Sequence, residues 1–88
     1  MTQLVEVSEK GKIFTLNFSK VKGHSEDDPN LKFYGILAQK YIGGILEEEA
    51  NSGMITEDEN LADSLIAALS ENAVTPLVLY EVLDEMLS

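Results

Sequence analysis

The stretch that decides the fold is Asp28-Pro29-Asn30-Leu31-Lys32-Phe33-Tyr34-Gly35-Ile36-Leu37-Ala38-Gln39-Lys40-Tyr41-Ile42-Gly43-Gly44-Ile45-Leu46-Glu47-Glu48-Glu49-Ala50. It opens with a helix-start pair, Asp28 as N-cap and Pro29 at the first helical position, where the missing N–H costs nothing. At 100° per residue Leu31, Tyr34, Leu37, Ala38, Tyr41, Ile42, Ile45 and Leu46 fall on one broad face, with Phe33 at its edge. The reading is a helix from Pro29 to about Ala50, kinked at Gly43-Gly44 and ended by Asn51-Ser52-Gly53. On that reading Glu47, Glu48 and Glu49 sit at the negative end of the helix dipole, where acids destabilise, so the cluster reads as one kept for a partner.

Upstream, residues 3–7 and 12–18 are rich in β-branched and aromatic side chains, separated by Ser8-Glu9-Lys10-Gly11. This is a β-hairpin with Gly11 available for a positive φ. Phe14, Leu16 and Phe18 share one face and need a helical layer to cover them. Residues 19–28 are polar and read as a loop. Downstream, Thr56 and Glu59 have capping-box spacing, and Leu61, Leu65, Ile66, Ala68 and Leu69 form a helical stripe to Glu71-Asn72. Thr75-Pro76 starts a last helix. Its apolar face, with Val78, Leu79, Val82, Leu83 and Met86, covers about half the wheel and reads as an oligomer or partner face. The expected fold is α+β in the order β-β-α-α-α, one domain over residues 1–88.

Charge is divided along the chain. Residues 1–40 carry all six Lys and five acids, net +1; residues 41–88 carry eleven acids and no Lys, Arg or His, net −11, which together give −10. With no Arg and the wrong sign of field, direct nucleic-acid binding is not expected, and an anionic membrane surface is repelled. A basic protein surface is attracted. The chain lacks Cys, which excludes disulfides, thiolate metal sites and a Cys nucleophile. No apolar run approaches the roughly 20 residues of a membrane span, the N-terminus does not read as a signal peptide, and a cytoplasmic location is expected.

Chemistry-bearing motifs are sparse. His24 with Glu26, Asp27 and Asp28 lacks the alternating spacing of a calcium loop, so no metal is assigned. Gly43-Gly44 lacks the strand-turn-helix setting of a dinucleotide fingerprint, and neither a cofactor nor an enzyme activity is expected. Asp63-Ser64-Leu65, in a small acidic chain, resembles the acyl carrier proteins, and the resemblance implies a carrier role with Ser64 as the modified residue. It covers three residues, and Ser64 falls in mid-helix, whereas in that family the Ser opens a helix.

The expected function is a non-enzymatic acidic interaction module, an inhibitor or regulator of phage or mobile-element type, acting as a nucleic-acid mimic. Glu47, Glu48, Glu49, Glu57, Asp58, Glu59 and Asp63 would carry the attraction, the linker between the two helices bringing the two clusters together. The alternative is an assembly subunit that forms a homodimer or larger oligomer through its last helix.

Overall fold

The computed structural model describes residues 2–88. Four strands, β1 (Thr2–Glu9), β2 (Lys12–His24), β3 (Lys32–Ile42) and β4 (Ile45–Thr56), form one antiparallel sheet in chain order. Helix α1 (Glu59–Glu71), a short 3-10 turn (Pro76–Val78) and helix α2 (Leu79–Leu87) follow. The class is α+β, as expected, but the order is four strands and then two helices.

The β1–β2 hairpin is where the sequence puts it. Lys10 and Gly11 take φ of 49° and 79°, the left-handed pair of a two-residue turn whose twist matches the strands. Val5 and Val7 stand opposite Leu16 and Phe14. The expected loop over 19–28 is instead strand as far as His24, because Ser19 to His24 pair with Leu37 to Lys32.

The expected helix from Pro29 to Ala50 is corrected to a second hairpin. Asp28 caps no helix there: its Oδ1 accepts the Asn30 N–H and its carbonyl accepts the Leu31 N–H, closing a turn. Gly43 and Gly44, at φ 58° and 79°, form a two-residue hairpin turn rather than a kink. Tyr34, Ile36 and Ala38 alternate into the core. Between them Phe33, Leu37 and Tyr41 point to the other face and are half-buried. Two apolar faces in one strand conceal the period of two, and the same residues then fit a helical wheel.

One face of the sheet carries the core. Leu16, Phe18, Ile36 and Ala38 are fully buried beneath Ala62, Ile66 and Leu69 of α1 and Leu79 of α2, with Phe14, Leu65, Val74 and Leu83 around them. Each large apolar side chain buried there stabilises by about 1.5–3 kcal/mol. Helix α1 starts at Glu59, two residues later than the capping-box reading, since the Asp58 carboxylate accepts the N–H groups of Asn60 and Leu61. Thr56 Oγ1 instead accepts the Asp58 N–H. Pro76 is buried and opens the 3-10 turn that leads into α2. Among the described residues no helix covers the opposite face of the sheet.

Strand β4 is irregular. Its register with β3 shifts on both sides of Gly35, between Tyr34 and Gly35 and between Gly35 and Leu37, and again between Lys40 and Tyr41. At the second of these Gly35 approaches Gly53 so closely that a Cβ on Gly35 would lie 2.1 Å from the Gly53 carbonyl oxygen. Ser52 Oγ fills the gap in the ladder, accepting the Ile36 N–H at 2.9 Å and donating to the Gly53 carbonyl at 2.7 Å.

Candidate functional site

The charge split of the sequence becomes a split across the sheet. Residues 1–40 build β1, β2 and most of β3, whereas β4, both helices and the Glu57-Asp58 link between β4 and α1 carry the net −11. Glu47, Glu48 and Glu49 lie on β4, not at a helix end, so no helix dipole opposes them. Glu48 is tied to Lys40 at 3.3 Å, and Lys40 Nζ also lies 4.5 Å from the centre of the Phe14 ring. Glu49 accepts from Gln39 Nε2 at 3.1 Å, in a row that continues to Asn17. Glu47 is exposed.

Glu57, Asp58, Glu59 and Asp63 are at the other end of β4. Eight strand residues lie between Glu48 and Glu57, roughly 25–30 Å of extended chain at the usual rise. The structure therefore holds the two acidic clusters apart. Two of the second cluster are also neutralised. Lys20, on the core face of β2 with a side chain only 6% exposed, bonds Glu59 Oε2 and sits 2.9 Å from Asp63 Oδ1. The two carboxylates raise the pKa of Lys20, and hydrogen bonding to that ammonium, the largest effect, lowers the pKa of Glu59. Asp58 is occupied as the α1 cap, and Glu57 is exposed.

Helix α2 divides the apolar set expected on it. Leu79 and Leu83 are buried in the core; Val82 is half-buried, and Val78 and Met86 remain partly exposed. The outward side joins the acids, which periodicity assigns to solvent, with Tyr80 and Leu87, which it groups with the apolar face. Tyr80, Glu81, Asp84, Glu85 and Leu87 are exposed there, with Leu77 of the preceding turn 76% exposed. Tyr80, Asp84 and Leu87 follow one line along the helix at helical spacing. The Tyr80 hydroxyl donates to the Asn51 carbonyl at 2.6 Å, which fastens α2 to β4. The ion pairs among the described residues join Lys20 or Lys22 to Glu59, Lys20 to Asp63 and Lys40 to Glu48, so Glu81, Asp84 and Glu85 are in none. The signal for this surface was the run Glu81, Asp84, Glu85 in a segment without a cation.

A cleft of about 650 Å³ lies between the two hairpin ends, lined by Glu9, Lys10, Lys12, Ile13, Phe14, Lys40 and Ile42. His24 is exposed at the end of β2, and among the described residues no three His, Cys, Asp or Glu side chains are placed to hold a metal ion. Ser64 is exposed on α1 inside its second turn, not at a helix start. No helix of the described residues is long and apolar enough to cross a membrane.

The chain belongs to the family described as a family of unknown function, DUF6514, whose pattern matches residues 2–88. No curated protein and no solved structure matches it.

Proposed function

We propose that this family member is a non-enzymatic protein-interaction domain that presents the acidic edge formed by β4 and α2 to a basic surface of a larger protein, regulating or inhibiting it. One observation carries the reading: the outer side of α2 combines exposed apolar anchors, Tyr80 and Leu87, with Glu81, Asp84 and Glu85, and among the described residues no cation pairs with these acids. Exposed charge alone contributes little affinity but steers encounter and fixes orientation. Aromatic and aliphatic groups at the centre of such a patch supply most of the binding energy. Glu47 and Glu57, exposed at the two ends of β4, extend the same field.

The test is capture of a partner from the native host's lysate over a salt series, with and without competing DNA, followed by direct titration of that partner. Charge reversal by Asp84→Lys with Glu85→Lys is expected to weaken binding at least tenfold and to flatten its salt dependence. Tyr80→Ala is expected to weaken it about tenfold with the salt dependence unchanged, in the range of a central anchor. Displacement by DNA supports a partner site that also accepts nucleic acid. Binding that resists salt and ignores both sets of substitutions sinks the proposal.

A further inference from the structure

The two edges of the sheet are built differently. On β4 the register shifts three times, the Asn51 carbonyl is capped by Tyr80, the Gly53 N–H is taken by Asn51 Oδ1 and the Gly53 carbonyl by Ser52 Oγ. Bulges and capped groups of this kind stop a sheet from adding a strand. Strand β1 has none of these protections. Its eight residues, Thr2–Glu9, run in unbroken register with β2 and contain no Pro, Gly or Lys. Among the described residues no side chain bonds its backbone. In an antiparallel ladder alternate residues turn their N–H and C=O groups away from the neighbour, so β1 offers a row of open donors and acceptors.

Charge selects the occupant. The β1–β2 hairpin carries Glu6 and Glu9 against Lys10, Lys12, Lys20 and Lys22, a local net of +2 in a chain of net −10. The acidic surplus sits on β4 and the helices, and β4 is the farthest strand from this edge. Two copies meeting β1 to β1 thus approach through the part of the surface with least mutual repulsion. The pairing is also self-complementary. With a two-fold axis at Val5, Val5 faces its own copy and Gln3 faces Val7 on the helix-covered side; Leu4 faces Glu6 on the open side. No like charges oppose each other in that register, whereas an axis at Glu6 sets two carboxylates face to face. The antiparallel arrangement also brings each Lys10-Gly11-Lys12 end beside the other copy's β2 end, where Glu59 and Asp63 offset the charge of Lys20 and Lys22.

We infer that a second copy of this chain pairs along β1, joining two four-stranded sheets into one continuous eight-stranded sheet and leaving both acidic edges outward. The experiment uses the full chain and its lack of Cys. Val5→Cys introduces the one thiol at the axis, within disulfide reach of its copy; Leu4→Cys places it two residues off the directly opposite position, beyond the about 7 Å Cα limit for a disulfide. The expected results are a mass twice 9.7 kDa on concentration, slowed amide exchange confined to residues 2–9 of the unsubstituted chain, and oxidative dimers from Val5→Cys far in excess of Leu4→Cys. A chain that stays monomeric across the dilution series overturns the inference. So does a dimer whose residues 2–9 exchange as fast as in the dilute chain, or a β1 protected only by an added polylysine strand. Because the thiol variants leave α2 untouched, failure here is separable from failure of partner binding.

Discussion

Lys20 shows how a single residue is set by its surroundings. It lies on the core face of β2, 5.7 Å from the centre of the Tyr34 ring, with Glu59 and Asp63 reaching down from α1. The pair joins helix to sheet where the apolar packing ends. Glu59, with its pKa depressed from 4.5, contributes stability that is present above that pH and lost as the pH falls through the lowered value. Lys20, raised from 10.5, contributes stability present below that pH and lost as the pH rises through the raised value. The stability difference between wild type and Lys20→Met should therefore be greatest between these limits and shrink on both sides, as followed by urea unfolding. Ser52 makes a second prediction at this scale. Removing its hydroxyl leaves the buried Ile36 N–H without an acceptor, so Ser52→Ala should cost about 1–3 kcal/mol. Gly35→Ala, driving a methyl group into the Gly53 carbonyl, should cost a similar 1–3 kcal/mol in denaturant titrations.

At the scale of elements, α2 separates folding from recognition. Leu79 is fully buried and Leu77 is 76% exposed, two residues apart. Leu79→Ala should destabilise by about 2–5 kcal/mol, and Leu77→Ala should stay within about 0.5 kcal/mol, read as thermal midpoints. Leu79 and Leu83 belong to the face that the sequence assigns to assembly, but both are buried, so Leu79→Glu and Leu83→Glu report on folding instead. What the sequence made legible was local. Gly11 marked a left-handed turn, Phe14, Leu16 and Phe18 marked a buried face, and Thr75-Pro76 marked the last helical segment. What it hid was the identity of β3 and β4. Ile36 and Ala38 point to the core while Leu37 and Tyr41 are half-buried on the other side, and a strand apolar on both faces has no alternation to display. Gly43-Gly44 carried the missing information: two glycines flanked by β-branched residues are a hairpin signal, and their cost inside a helix argued the same way. The acidic residues were identifiable as a class but not as a surface, because pairing with Lys20 and Lys40 depends on contacts 39, 43 and 8 residues away.

The whole molecule is a polar object with opposed edges. Its extents of 49 × 26 × 18 Å make it long and thin, with net −11 gathered on the side of β4 and the helices. Like charges held that close work against the compact state. Raising salt from low to physiological ionic strength should therefore raise the urea midpoint of the free protein, while weakening its complex with a basic partner. The opposite signs distinguish self-repulsion from recognition within one series of measurements. An acidic edge and a weakly basic edge on opposite sides of one sheet also allow partner binding and self-pairing to proceed together, since neither uses the other's surface.

The chain-order meander has a consequence in time. Every strand pairs with its neighbour in sequence, and two of the three connections are two-residue turns. No long loop must close before the sheet can form, so its pairing entropy is low and its assembly is fast. The helices come last in the chain, after all four strands. During synthesis the sheet can zip up hairpin by hairpin while its core face is still bare, and α1 then acts as the latch that ends this exposed interval.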